Sequence, residues 1–505
     1  VSAYGDWAAR RSLSPVYAAQ LTVARKSDGQ EMELYLATHG GQWDAAHNWR
    51  PFLVAPPRLR HRAQGLTGQS SLTSYGSLGL AIPAGRAVDS DGLVSTDALV
   101  NGYTFAGRPV VVRVGGPGLA WADWWPVLNG VMGQPEWTNA RLEIPIAGRS
   151  AELADKLIPP NEYSEADGVP ETTVGKPKPL ALGRLRNIEP VLIDEANFGY
   201  QFNDPAFGPV QAVDAVRVKG KTVTSGFSVN LTAGTITFSA QPSGAVTLDL
   251  RGRVSGPLGG YVEDCAGLVQ DILRGLAGAS AGDIDATAFA ACAALRPWPL
   301  GIYLDRKISV KQAIDALLTG LLVIFRDGRD GRWSLRALED ASGAPAHVVS
   351  EDRIKLGSYR HQPDGNSPAW QVTIAGGRNW TTIANPDDSL GEADRAWLKQ
   401  QFSERTASDA AVQALYPKAK ELGPHQTYLF NADDAEALAG LWLALFNRER
   451  GEDGFETPLI GLPVELGDLV MVRRRRHGMA GGKLFRAWGV EEDHQRRRIK
   501  LELWG

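Results

Sequence analysis

The sequence predicts a mainly β, multidomain chain with an α+β middle. Three observations predict it. Alternating apolar runs open and close the chain, which is the period of strands with one buried face. The 56 glycines and 30 prolines supply turns for short connections, as a β-rich architecture requires. Apolar residues three and four apart, the helical spacing, are confined to stretches between these ends. At 505 residues, a prior of roughly 150 residues per domain gives about three or four units.

Residues 1–158 form the first predicted unit, a β-barrel or sandwich with a helical exit. Val16 to Arg25 places Tyr17, Ala19, Leu21 and Val23 on one side, and Glu31 to Ala37 does the same with Met32, Leu34 and Leu36. Lys26-Ser27-Asp28-Gly29 between them reads as a hairpin turn. Further strands are expected at Pro109 to Val114, Trp125 to Met132 and Arg141 to Ile146, and Ser150 reads as the N-cap of a short helix from Ala151 to Leu157.

Residues 159–179, rich in proline and polar residues, read as a linker or extended arm. Residues 180–255 read as a small all-β insertion, with runs at Val213 to Val218, Phe227 to Leu231, Thr235 to Phe238 and Val246 to Leu250. Residues 256–345 are predicted α+β. Val262, Cys265, Val269, Ile272 and Leu276 mark one amphipathic helix, and Ser309 with Gln312 makes a capping box for a second, which Gly320 ends. Leu321 to Arg326 and Arg332 to Leu338 follow as a hairpin about Asp327-Gly328-Arg329-Asp330-Gly331.

Residues 346–505 read as a second β unit, with strands near Tyr359 and at Trp370 to Ile374. A helical excursion at about 390–450 comprises Gly391 to Phe402, Ala407 to Ala419 and Asp433 to Arg448. The meander from Pro458 closes the chain, with Val464 and Leu466, then Ile499, Leu501 and Leu503, alternating against polar residues. Gly467-Asp468 and Gly481-Gly482 are its turns.

Composition narrows the function classes. Lys plus Arg total 53 and Asp plus Glu 57, a net charge of −4, which disfavours sequence-independent wrapping of DNA. Cys265 and Cys292 lack metal or redox spacing and suit a reducing cytoplasm. Val1 to Asp6 carries no signal-peptide pattern and no run of eighteen apolar residues occurs, so neither secretion by a signal peptide nor membrane spanning is expected.

No motif predicts catalysis, a cofactor or a metal. Gly478 to Leu484 approaches a phosphate loop, but its spacing is one short and Leu484 stands where Ser or Thr is needed. Tyr75-Gly76-Ser77-Leu78-Gly79 lacks the first glycine of a nucleophile elbow. Asp327 and Asp330 lack the other ligands of a calcium loop. The eight histidines, His39, His61, His361 and His477 among them, show no zinc spacing. Glu491-Glu492-Asp493 reads as a charged loop rather than a glycosidase pair.

Several stretches resemble the tail-hub proteins of long-tailed bacteriophages: Leu466-Gly467-Asp468-Leu469-Val470, Ala480 to Arg486 and Leu501-Glu502-Leu503-Trp504-Gly505 at the C-terminus, with Val16 to Leu21, Tyr35 to Gly40, Arg395 to Leu398, Asp409 to Val412 and Ala435 to Arg450. The resemblance implies a non-enzymatic virion protein at the tail tip or baseplate, made in the host bacterial cytoplasm. It implies a homotrimer in which two barrel-like hub domains per chain, bracketing the insertion and the α+β domain, present six units to a sixfold tube. The implied partners are the tail tube or distal tail protein, the tape-measure protein and a central fibre or spike, with DNA passing through during ejection and host entry. Such obligate interfaces commonly exceed about 2,000 Å².

Two groups are candidate contacts. Arg473, Arg474, Arg475 and Arg476 with Arg496, Arg497 and Arg498 form a candidate basic patch facing a partner or the channel, the competing reading being a solvated turn. Trp121, Trp124 and Trp125 are candidate aromatic interface anchors, against ordinary core packing. A receptor- or glycan-binding tail protein, with the insertion as binding module, is the alternative function. A tail-borne cell-wall hydrolase ranks last.

Overall fold

The computed structural model describes residues 3–8, 14–63, 69–81, 96–138, 141–458 and 464–505. Among them strands dominate and gather in several sheets, the mainly β class with an α+β middle that the sequence predicts. Residues 459–463 of the closing segment lie outside the described residues. No described helix is long and apolar enough to cross a membrane.

Val16–Arg25 and Glu31–Ala37 pair antiparallel as expected, with Leu21 opposite Leu34. Tyr17, Ala19, Leu21 and Val23 enter one apolar core. Val16 and Ala18, on the other face of the same strand, are also buried, against Trp49 and Trp124. The sheet continues through Pro109–Gly115, Trp125–Met132, Leu142–Ala147, Ser77–Leu80 and Leu53–Ala55. Gly115 must lack a side chain, because a Cβ there would collide with the Trp124 ring.

The last sheet is not built from the last residues alone. Its strand order runs Trp333–Ala337, Val323–Asp327, Gln69–Ser74, Arg58–Ala63, Lys483–Asp493, Arg498–Trp504, Gly451–Pro458, Arg360–Pro363. A pair of strands from residues 58–74 is therefore inserted between the 323–337 hairpin and the terminal meander. Leu59 lies opposite Glu492, and Ile324 pairs parallel with Gln69. Sheet membership thus crosses the consecutive segments 1–158, 256–345 and 346–505.

Between these outer parts, a five-stranded sheet and a four-stranded sheet enclose Phe202, Ile236, Leu248 and Leu250. Gly301–Leu304 joins the five-stranded sheet by pairing with Leu180–Ile188, so that sheet draws a strand from beyond residue 255. Ser309 caps Val310–Leu318 reciprocally with Gln312, at 3.1 and 2.9 Å. Gly320, at φ +75, turns the chain out of that helix. The 159–179 arm is anchored by buried Tyr163, whose hydroxyl donates to Gln201.

Two local readings need correction. Ser150 does not act as an N-cap: it begins the helix Ser150–Asp155, and its hydroxyl and N–H both donate to Asp327, 177 positions away. The helix stops before Leu157, which enters a short strand pair with Ser309. Nor is Ala407 to Ala419 one helix. Ser403–Ser408 is a strand, Asp409 caps only Ala410–Leu415, and Lys420–Gln426 joins Ala369–Gly376 in parallel. Lys420–Gln426 contains Gly423 and Pro424 and lacks β-branched residues, so its strand state comes from its neighbour rather than from propensity.

Candidate functional site

The tip of the 323–337 hairpin is where the first β unit and the last sheet meet. Asp330 accepts from the Arg332 N–H at 3.1 Å, and Gly331 takes φ +80, closing a tight turn. That turn carries Arg329 inward, where only 5% of it is exposed. Its guanidinium forks onto both oxygens of Glu492, one bond measuring 2.8 Å, and donates to the Val464 carbonyl at 2.9 Å. Glu492 is 2% exposed and also lies 3.0 Å from His494 Nε2. His494 Nδ1 is 3.1 Å from the Tyr17 hydroxyl, and the two rings meet edge to face. An unbroken polar chain therefore runs from the hairpin tip through the terminal strands to the first strand of the sequence.

Further contacts at the same tip bind the first unit. Asp327 receives Ser150, Arg149 donates to Asp283 at 2.6 Å and to Gly331 at 2.9 Å, and Asn129 donates to the Asp330 carbonyl at 3.3 Å. Arg326 pairs with Glu465 at 2.7 Å and donates to the Leu466 carbonyl. The expected charged loop at Glu491-Glu492-Asp493 is instead the end of the strand Lys483–Asp493. Glu492 points into the core, while Glu491 pairs with Arg58 toward solvent.

The electrostatics follow from burial and one close pair. Burial alone raises the Glu492 carboxyl, but Arg329 and the His494 hydrogen bond outweigh it, so the net shift is strongly downward. Burial pulls Arg329 down, and Glu492 more than restores it. Burial, with Arg329 beside it, lowers His61 to about 3. Asp327 goes the other way, raised by burial despite its bonds from Ser150. The void that His61, Arg329 and Glu465 help to line holds about 10 Å³, room for a single water at most.

Such an arrangement can hold parts together but cannot admit a substrate. Among the described residues, no group of three or more His, Cys, Asp and Glu is placed to hold a metal ion. A wider groove of about 530 Å³ lies beside Arg360–Pro363. Most of its charges already have partners, as in Lys355 with Glu456 at 2.7 Å and Lys500 with Glu502 at 2.8 Å.

The candidate arginines fall into two separate groups. Arg473 to Arg476 lie at the start of the strand Lys483–Asp493 and Arg496 to Arg498 at its far end, on the order of 30 Å apart at strand rise. Arg473, Arg475, Arg476, Arg496, Arg497 and Arg498 are exposed. Arg474 differs, its guanidinium stacking 3.6 Å from the Tyr359 ring centre. The triple substitution R473Q/R475Q/R476Q is expected to change stability by less than about 0.5 kcal/mol. R474Q is expected to destabilise by about 1–2 kcal/mol through loss of the stacked cation. Thermal melting of the two variants checks this, and equal melting would remove the distinction.

The three tryptophans make intramolecular aromatic contacts in two separate clusters, Trp121 and Trp124 with Trp49 in one and Trp125 with Tyr4 in the other. Trp124 is buried, and Trp121 and Trp125 are half-buried. Trp121 lies 4.8 Å from Trp124 and 5.0 Å from Trp49, and Trp125 stacks on Tyr4 at 5.7 Å. From the sequence, Glu492 falls in a charged loop and Arg329 in a hairpin turn, and His494 is not singled out; the one usable signal for their inward face is Val490, Glu492 and His494 at alternate positions.

No family model matches the chain, and no curated protein matches it. Similar solved structures include the tail protein from Neisseria meningitidis MC58, at 10% identity over 97% of this chain and 96% of that one, with a TM-score of 0.40. Another is the 43 kDa tail protein of prophage MuSo2 from Shewanella oneidensis, at 10% identity over 96% of each chain and a TM-score of 0.40. A third is prophage tail protein gp18 from Listeria monocytogenes EGD-e, at 8% identity over 97% and 94%, with a TM-score of 0.39. Over nearly its whole length the chain is similar to these three tail proteins, two of them from prophages.

Proposed function

We propose that the chain is a structural protein of a phage tail, a hub at the tail tip or baseplate in which three copies present six β units to a sixfold tube. The observation that carries this reading is the insertion of the strands Arg58–Ala63 and Gln69–Ser74 into the last sheet, sealed by the Arg329–Glu492 pair. It ties the first and last β parts of one chain into a single body, as a component that transmits load between tube and fibre needs. The stretches resembling tail-hub proteins support the same reading, and one of them, Ala480 to Arg486, reaches the start of the strand Lys483–Asp493.

In this reading tube or distal tail protein binds above, tape-measure protein inside, and fibre or spike below. DNA passes without sequence-specific contact. The test is a native mass near three times 54.4 kDa together with threefold density at the tail tip. A protein that stays monomeric at every concentration, and is absent from tail-tip particles, removes the proposal.

A further inference from the structure

Residues 184–217 and 378–430 meet in a ladder of arginines and aromatic rings. Arg184 lies 4.5 Å and Arg186 4.3 Å from the Phe430 ring centre. Arg186 and Arg217 each lie over Trp397, at 5.7 and 5.8 Å. Arg378 continues the surface over Trp380 at 4.0 Å and Tyr428 at 4.5 Å. Leu429 between Tyr428 and Phe430 is fully buried, so those two rings face the arginines together.

The charge on this surface is not balanced. Arg217 forks onto Asp249 at 2.5 and 2.6 Å, and Arg251 pairs with Asp214 at 3.0 Å. Arg184, Arg186 and Arg378 have no ion pair with any described residue, and all three are half-buried rather than solvated. Arg184 also stands directly opposite Arg251 across the sheet, a like-charge pairing that is unfavourable by itself. Burial lowers Arg186, with Arg217 and Arg184 adding to the shift against Asp249. The Nε atoms of Arg184 and Arg378 are buried without a hydrogen-bond partner.

We propose that this arginine ladder is a docking site for an extended acidic segment of a partner protein, whose carboxylates take the guanidinium forks. The geometry suits it. Guanidinium faces lie on the rings, which leaves the planar N–H edges for bidentate carboxylate binding. Arg184 and Arg186 are two residues apart on one strand, about 6.6 Å, the spacing of alternate side chains on an extended peptide. A single-stranded nucleic acid fits less well, since bases bind such surfaces by stacking on rings that here already carry guanidiniums. This inference does not depend on the tail reading above.

The test uses the full chain and a fluorescent peptide of alternating glutamate and serine, followed by anisotropy. Saturable binding is expected, weakened about tenfold or more in R184Q/R186Q, as loss of two charge-assisted contacts implies. R473Q/R475Q/R476Q should bind as the parent does. R184K/R186K keeps both charges but not the forks, and should weaken binding several-fold without a change in melting, a readout that stands even where R184Q/R186Q fails to fold. Parent-like binding by R184K/R186K, no saturable binding, or tighter ladder-dependent binding of an oligothymidylate of equal charge would each overturn the proposal.

Discussion

Replacing Arg329 with methionine is expected to destabilise the junction by about 3–5 kcal/mol, because it strands a buried carboxylate without its counter-ion. Glu492 is 2% exposed, and its other neighbour, His494, is 4% exposed. Neither solvent nor the rest of the network can replace a fork that supplies two bonds to the carboxylate. The double variant R329M/E492L removes both charges and is expected to recover most of the loss, since an apolar pair of similar volume is often neutral or better in such a place. Hydrogen exchange is the appropriate measure, because a chain with several cores need not unfold in one step. In R329M the amides of Lys483–Asp493 and Arg58–Ala63 should lose protection by roughly a hundredfold or more. Unchanged protection there would show that the pair does not hold the inserted strands.

Acid should loosen the same junction. His61 ordinarily titrates near 6.5 and is lowered to about 3 in the fold. The unfolded chain therefore binds a proton that the folded chain refuses, and stability falls as pH drops from about 6.5 toward 3. Glu492 is lowered as well, from an ordinary 4.5. Its contribution is complete above 4.5 and is lost as pH falls through its folded value. Asp327 opposes them in the carboxylate range, because burial raises it and protonation relieves that burial. Between 6.5 and 4.5 His61 therefore acts ahead of Glu492, together with His425, which burial also lowers. The unfolding midpoint is expected to fall across this interval by an amount worth as much as several kcal/mol, and H61N should reduce the fall, leaving the part that His425 contributes. A midpoint constant from pH 7 to 4.5 in the parent chain would contradict the assignment.

Much of the fold was legible because it is local. The hairpin at Val16–Arg25 and Glu31–Ala37 follows from alternation and a polar turn, and the helix Val310–Leu318 from its capping box. These features depend on neighbours a few residues away. Lys420–Gln426 and Ser150 show the opposite case. The strand is imposed by Ala369–Gly376, and the carboxylate that receives Ser150 comes from Asp327. The candidate tryptophans illustrate both sides: their apolar character was plain, but that Trp124 packs on Val16 and Ala18 required the fold.

The sequence by itself determined the class, a β-rich chain with a helical middle, because period and turn residues act over short range. Only the tertiary structure decided that Glu492 faces inward. Phe485 and Ala487 share one core, and strict alternation from them would carry Glu491 into it. A bulge between Ala487 and Gly489 shifts the phase, so Val490 and Glu492 face the core and Trp488 enters another. One extra residue in a strand reverses every side chain beyond it. Here that reversal meets Arg329, brought from 163 positions away, a coincidence that no local pattern encodes.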